Sequence, residues 1–320
     1  MTVMVEIDQL SKSFGDFQAV NGISLTVSKG EVLGFLGPNG AGKTTTMRMV
    51  AGYLTPTSGS VRVCGQDVVE YPTAAKRVIG YLPEGSPSYD DMTVRGFLKF
   101  IAEIRGFDGA ERDARVDNVV MRLGLGDVID RSIDILSKGY RRRVGLAQSI
   151  IHDPPVLILD EPTDGLDPNQ KHQVRSLIAE MAAEKAIIVS THILEEVEAV
   201  CTRAVIISGG RVLADGTADQ LRTRLPQSNA ICVILPQGAA AEAAGRFKAL
   251  GSVATVFETP AENGSVKLRI TPKGEAPLAA EISAAVRQHG IPAIEVYQDR
   301  GSLDDVFRLI TTGAAARPAA

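Results

Sequence analysis

The chain has 320 residues, a net charge of −4 and a pI near 5.7, with 44% hydrophobic and 22% charged residues. This composition is typical of an ordinary globular protein and excludes a long disordered chain. The acidic balance argues against a dedicated nucleic-acid or anionic-membrane surface, so no nucleic-acid partner is expected. The length predicts one large domain or two modest ones.

Cysteine usage and hydropathy indicate the cellular compartment of the protein. The three cysteines, Cys64, Cys201 and Cys232, are far apart and have no metal-ligand spacing, which is typical of a reducing compartment. The first residues do not form a secretory signal, and no run of about 18 apolar residues occurs that would span a bilayer. We therefore expect a soluble, cytoplasmic protein whose membrane part, if any, belongs to another chain.

The first forty residues predict strands. Val3–Ile7 and Gly22–Val27 have apolar residues at every second position, and Glu31–Leu36 is apolar enough to be a buried strand. Residues Lys43–Val50 then predict a helix.

A phosphate-binding loop lies between that buried strand and that helix. The segment Gly37-Pro38-Asn39-Gly40-Ala41-Gly42-Lys43-Thr44 matches the pattern Gly-x4-Gly-Lys-Thr. Its glycines allow backbone N–H groups to point at phosphate oxygens, and the helix adds its positive end. Lys43 should reach the β- and γ-phosphates of ATP, and the Thr44 hydroxyl should ligate Mg²⁺. A plain glycine-rich turn is the alternative, but a chance match in a chain of this length is about one in a hundred.

The middle of the chain predicts helices. Phe97, Phe100, Ile101 and Ile104 recur with helical spacing, and residues 89–147 predict a helical subdomain inserted into a sheet. The three arginines at 141–143 form too weak a patch for a basic site, and we interpret them as a solvated helix face.

A second acidic motif follows. Val156–Asp160 predicts an apolar strand, so the Asp160 carboxylate would lie at the strand's C-terminal edge and hold Mg²⁺. Glu161 would orient or deprotonate the attacking water. A helix over about 169–184 and a strand at Ala186–Ser190 complete an alternating order, which predicts an α/β fold with a mostly parallel sheet and helices on both faces.

The C-terminal part predicts a separate α+β domain. The composition changes near residues 225–229, and the following elements are predicted in the ferredoxin-like order βαββαβ, with a last helix at Leu303–Ile310. We therefore predict an ATPase domain over 1–224, an accessory domain over 225–313 and a disordered tail over 314–320.

Four further motifs carry a family resemblance. Leu136–Tyr140 resembles the signature loop of ATP-binding cassette (ABC) ATPases, and the order of Tyr81–Glu84, Thr163–Asp167 and Ser190–His192 also matches that P-loop NTPase family. The resemblance covers roughly residues 3–220. It is strongest to ATP-binding subunits of bacterial exporters of the multidrug and gliding-motility type, whose accessory domain resembles Gly301–Phe307.

The resemblance implies an ATP-hydrolysing transporter subunit. It would act with a separate permease as a head-to-tail homodimer or paralogous heterodimer, peripheral on the inner face of the cell membrane. The nucleotide would contact Phe14, Gly37, Pro38, Asn39, Gly40, Ala41, Gly42, Lys43, Thr44 and Thr45, with Ser137, Gly139 and Asp167 acting across the dimer. Lys43, Glu161 and His192 would be catalytic, and Thr44, Glu84 and Asp160 would hold Mg²⁺.

Three positions depart from the family's usual pattern. Lys138 replaces a glycine, Tyr140 a glutamine, and Glu84 a glutamine that contacts Mg²⁺. An ionised carboxylate ligates Mg²⁺ but cannot donate a hydrogen bond. The alternative function is a soluble ABC ATPase that remodels a macromolecular complex. One P-loop and a short helical insert favour the transporter subunit.

Overall fold

The computed structural model describes residues 2–86, 88–225, 229–274, 278–299 and 301–315. It divides into two compact units, Met1–Thr217 and Ala218–Ala320. No helix within these described ranges is long and apolar enough to cross a membrane.

The first unit contains ten strands and seven α-helices among its described residues. Its strands are β1 (Val3–Phe14), β2 (Phe17–Ser28), β3 (Val32–Leu36), β4 (Ser58–Val63), β5 (Gln66–Asp67), β6 (Ile79–Leu82), β7 (Val156–Asp160), β8 (Ala186–Thr191), β9 (Arg203–Ser208) and β10 (Arg211–Gly216). Its α-helices are α1 (Lys43–Val50), α2 (Pro72–Arg77), α3 (Val94–Ile104), α4 (Gly109–Arg122), α5 (Lys138–Ile150), α6 (Pro168–Ala182) and α7 (Leu194–Val200).

The central sheet of this unit is mostly parallel, as predicted. Its strand order is β10-β9-β3-β8-β7-β6, and only the edge strand β10 runs antiparallel to its neighbour. The phosphate-binding loop therefore leaves the C-terminal end of a strand inside the sheet, and β7 ends two strands away at the same edge. This places the two predicted halves of the site on one side of the sheet.

The two faces of the central sheet are covered differently. Alternate residues of β7 enter opposite cores, with Val156 and Ile158 on one face and Leu157 and Leu159 on the other. The first face packs on α1 and on a second, antiparallel sheet of order β2-β1-β4-β5, whereas the other packs on α3–α6. The predicted helices are thus present on both faces, and the first face is also covered by the antiparallel sheet, because β1 and β2 have an apolar side that needs burial.

Residues 89–147 contain α3, α4 and most of α5. Helix α3 begins after Thr93, whose hydroxyl accepts the N–H of Gly96 at 3.1 Å. Phe97, Leu98 and Val116 are buried in the core that the three helices share with the central sheet.

The second unit is built on a four-stranded antiparallel sheet. Its elements are α8 (Ala218–Arg222), β11 (Ala230–Pro236), α9 (Gln237–Lys248), β12 (Val253–Pro260), β13 (Ser265–Pro272), α10 (Ala279–Gln288), β14 (Glu295–Asp299) and α11 (Leu303–Ala315). The strand order β12-β13-β11-β14 follows a βαββαβ sequence, and Phe247, Leu268 and Val233 pack between sheet and helices.

The limits of this unit differ from the sequence-based expectation. Helix α8 contacts α11, so the unit begins before the expected boundary between residues 224 and 225. Helix α11 extends through Ala315, so the first residues of the expected disordered tail are helical. The rest of that tail, 316–320, and residues 226–228 of the expected linker lie outside the described residues.

Candidate nucleotide-binding site

The phosphate-binding loop has a backbone that only glycine tolerates at two points. Gly42, with φ of 101°, caps the N-terminus of α1, and a Cβ added there would lie 2.5 Å from the Ala19 carbonyl oxygen. A Cβ at Gly37 would lie 2.6 Å from the Ile207 carbonyl oxygen. The loop is therefore held against β2 and β9, and within it the Ala41 N–H donates to the Pro38 carbonyl oxygen at 3.1 Å.

The Lys43 ammonium group lies inside this loop. Its Nζ donates to the carbonyl oxygens of Gly37 at 2.7 Å and Pro38 at 3.3 Å, and the residue is 7% exposed. Burial lowers the pKa of Lys43, and the nearby carboxylates of Glu161, Asp160 and Glu84 oppose that shift. A cation is thus held among three acids at the start of α1.

A cleft of about 340 Å³ lies over the loop. It brings most of the predicted residues together, since it is lined by Phe17, Ala19, Asn39, Gly40, Ala41, Gly42, Lys43, Thr44, Thr45, Glu84 and Glu161. Gly37 and Pro38 lie behind it as acceptors for Lys43. The cleft therefore joins the loop after β3 to the ends of β6 and β7.

The aromatic residue that lines this cleft is not the predicted one. Phe14 is 51% exposed and is absent from the lining, with its ring centroid 5.3 Å from Lys12 Nζ. Its cross-strand partner Phe17, at the start of β2, lines the cleft instead. The sequence signal was available, because two aromatics flanking the turn Gly15-Asp16 must lie opposite each other in a hairpin. Adenine stacking by Phe14 stays a prediction.

Asp160 is the buried acid of the site, with 1% exposure. One carboxylate oxygen accepts a hydrogen bond from the Ser190 hydroxyl, and the other, Oδ2, is buried with no partner. An unpartnered buried carboxylate oxygen is costly, so this atom fits a metal ion or a metal-bound water. Among the described residues no group of three or more His, Cys, Asp or Glu side chains could hold a metal alone. This arrangement suits Mg²⁺, which takes few protein ligands and completes its shell with phosphates.

Glu161 and His192 form a second pair at the cleft. Glu161 has an unusual φ of 53°, and its N–H donates to the Ser190 carbonyl oxygen at 3.0 Å. A carboxylate oxygen of Glu161 lies 2.8 Å from Nδ1 of His192. Since an ionised carboxylate only accepts, Nδ1 carries the proton and donates, which leaves Nε2 for another partner.

The signature residues lie away from this cleft, beside the Thr163–Asp167 loop of the same chain. Ser137 caps α5 by accepting the Tyr140 N–H at 3.3 Å, and Asp167 caps α6. A Cβ at Gly139 would lie 2.8 Å from Gln170 Oε1 and 3.4 Å from the Gly165 carbonyl oxygen, so α5 and the start of α6 approach each other closely at this glycine. Ser137, Gly139 and Asp167 are absent from the cleft lining.

Comparison with known proteins agrees with this geometry. Residues 20–164 match the family model for the ABC transporter. The chain is 39% identical over 224 residues to the ABC transporter ATP-binding protein NatA of Bacillus subtilis (strain 168), a match that covers 68% of this chain and 91% of that protein. The chain belongs to the ABC transporter family.

Two other similarities extend this result. The Nod factor export ATP-binding protein I of Ralstonia nicotianae is 31% identical over 314 residues, which cover 97% of this chain and 94% of that protein. A solved structure described as the ATP-binding subunit of an ABC transporter is 30% identical with a TM-score of 0.65, covering 69% of this chain and 92% of the other. The predicted resemblance to ABC ATPases is confirmed, and this ABC protein is an ATP-binding, ATP-hydrolysing subunit.

The sequence analysis did not predict two features of this ABC subunit. Lys138, at a position where the family usually has glycine, pairs with Asp164 at 2.7 Å and lowers the pKa of that carboxyl group. Arg142 and Arg143 are 5% and 6% exposed, so their interpretation as a solvated helix face was wrong. The available signal was helical spacing, because both arginines lie on the same face of α5 as the buried residues Gly139, Leu146 and Ile150.

Proposed function

We propose that this subunit energises export by a separate membrane permease, at the inner face of the cell membrane, through ATP-driven head-to-tail dimerisation. The observation that carries the proposal is the separation of the two halves of the site. The P-loop cleft contains Lys43, Thr44 and Glu161, whereas Ser137 and Gly139 lie outside it. A second copy or a paralogue, turned head to tail, would complete each site.

Export is supported by similarity. The relative named for Nod factor export aligns with both units of this chain. Because no described helix is long and apolar enough to cross a membrane, the permease is proposed as another chain. The permease contact is proposed to lie around Glu84–Met92 and the adjacent helices.

The chemistry is proposed for residues of the cleft. The N–H groups of Gly40, Gly42, Lys43 and Thr44 and the Lys43 ammonium bind the phosphates of ATP. Thr44, Asp160 and Glu84 would hold Mg²⁺, which when bound offsets phosphate charge. The unpartnered Asp160 Oδ2 supports this role.

Water activation is proposed for the Glu161–His192 pair. The Glu161 carboxylate accepts a proton from the water that attacks the γ-phosphorus, and the bond to the bridging oxygen of ADP breaks. The Nδ1–H of His192 orients that carboxylate, and its Nε2 is available for the γ-phosphate. In the closed dimer, the partner's signature loop would cover the same phosphate through the N-terminus of its helix α5.

Glu84 gives this site an acid where an amide is usual. Glu84→Gln removes an anionic oxygen close to Lys43 and Glu161, so we expect the Mg²⁺ concentration for half-maximal turnover to rise several-fold. Glu70→Gln, an exposed substitution in the same unit, is the matched control. An Mg²⁺ titration of Glu84→Gln that superimposes on wild type would show that Glu84 has no role at the metal.

The membrane partner is tested by affinity purification. A tagged chain extracted from membranes in mild detergent should carry a polytopic membrane protein in stoichiometric amount, and that protein should change its ATP turnover. Recovery with ribosomes or DNA and without any polytopic protein would favour the alternative, an ABC ATPase that remodels a macromolecular complex.

A further inference from the structure

The Arg142 side chain reaches from helix α5 to the two segments that carry Asp160, Glu161 and Glu84. Its guanidinium group donates to the carbonyl oxygens of Asp160, of Glu161 at 2.6 Å and of Pro83 at 2.8 Å. It also donates to the Ser86 hydroxyl oxygen at 2.8 Å. One buried side chain therefore bonds both the end of β7 and the loop after β6.

The two bonded segments carry the proposed metal ligands. Pro83 and Ser86 flank Glu84, and the other acceptors belong to the pair Asp160-Glu161. Burial lowers the pKa of Arg142, and the surrounding carboxylates of Asp160, Asp164, Glu161 and Glu84 raise it. Because an arginine stays protonated in proteins, a fixed positive charge lies among four acids.

We propose that Arg142 is a positioning residue for ATP hydrolysis. Its guanidinium group holds the end of β7 and the loop Pro83–Ser86 in one arrangement, so that Asp160 and Glu84 meet the same Mg²⁺. The inference rests on the metal-binding roles proposed for those two acids, and it adds a residue that touches neither metal nor nucleotide.

The chemistry of this position is specific to arginine. The planar guanidinium group presents five N–H donors in a fixed fork, which matches acceptors that lie on two separate segments. A lysine ammonium has the charge, but its three donors share one nitrogen atom. Glutamine has neither the charge nor the reach.

Binding of a fluorescent ATP analogue at increasing Mg²⁺ tests the inference without turnover, in a Glu161→Gln background. We expect Arg142→Gln to raise the Mg²⁺ concentration for half-maximal binding about 10- to 100-fold, as loss of outer-shell metal partners does. With Glu161 intact, kcat should fall by a similar factor. Arg142→Lys should recover only a small part, since it keeps the charge without the fork.

Arg143→Gln is the matched control. Arg143 is the next residue of the same helix and is equally buried, but it donates to the carbonyl oxygens of Leu123 and Gly124, in the helical subdomain. The Arg143→Gln substitution should lower the melting temperature and leave the Mg²⁺ concentration for half-maximal binding within about twofold of that of the Glu161→Gln parent. If Arg142→Gln and Arg143→Gln lose stability alike and share an unchanged Mg²⁺ value, Arg142 is only structural.

Two more measurements keep the outcome decisive. If Arg142→Gln does not fold, Ser86→Ala removes one acceptor of the guanidinium group, and an Mg²⁺ value unchanged there would overturn the inference. Turnover of Glu161→Gln alone tests the proposed function separately. Its collapse, together with a normal Mg²⁺ value for Arg142→Gln, would reject the role of Arg142 and leave the function standing.

Discussion

Glu161→Gln is expected to lower ATP turnover by about 10²- to 10⁴-fold, as loss of a general base does, while ATP still binds. The glutamine keeps the size of the side chain but cannot accept the proton of the attacking water. It also faces His192 Nδ1 at the position where the carboxylate lies at 2.8 Å. Binding should survive because Lys43 and the loop glycines, which are proposed to hold the phosphates, are unchanged.

Phosphate release and equilibrium binding of a fluorescent ATP analogue measure the two effects separately. Glu195→Gln is the control, because Glu195 is an exposed glutamate on α7, close to His192 in sequence. Its turnover should match wild type. Near-normal turnover in Glu161→Gln would contradict the assignment of Glu161 as the base.

Two inactive variants should regain activity when their subunits are mixed. Lys43→Ala damages the P-loop half of a site. The turnover of this variant alone should fall about 10²- to 10³-fold, as loss of one transition-state donor does. Ser137→Arg damages the signature half and removes the α5 cap. In a mixed head-to-tail dimer both lesions fall in one site and the other site is intact. With random exchange, about a quarter of all sites are intact.

The control mixture combines Lys43→Ala with Glu161→Gln. Both lesions then lie in the P-loop half, so every mixed dimer carries one lesion in each site and no activity should return. Phosphate release, with dimer content followed by light scattering, is the measurement. Recovery in the control, or none in the test mixture at equal dimer content, would refute sites shared between two copies.

Local rules were enough for the phosphate-binding loop. Gly37, Gly42 and Lys43 were predicted from their spacing, and the predicted helix Lys43–Val50 has the observed bounds. Steric limits on backbone angles act between neighbours in the chain, so a short motif determines such a loop. Continuous apolar runs were likewise enough to predict β7 and β8, because strands buried on both faces have apolar residues at nearly every position.

Contacts between distant segments were harder to predict from the sequence. The sequence shows that Phe14 and Phe17 are close, but only the packing of the hairpin on the P-loop decides that Phe17 lines the cleft. The charge of Lys138 was visible, whereas its partner Asp164 depends on how α5 approaches α6. Such pairings join residues that many positions separate, and the chain's local preferences do not encode them.

By itself, the sequence determined the family, the P-loop and the acids Asp160 and Glu161, because these depend on residue type at fixed spacing. Only the tertiary structure decided that Arg142 is buried at the site. Helical spacing places Arg142 and Arg143 on the buried face of α5, but no local signal shows which of the two reaches the ends of β6 and β7. That choice depends on the carbonyl groups of Pro83, Asp160 and Glu161, which meet it only when the sheet and α5 are packed together.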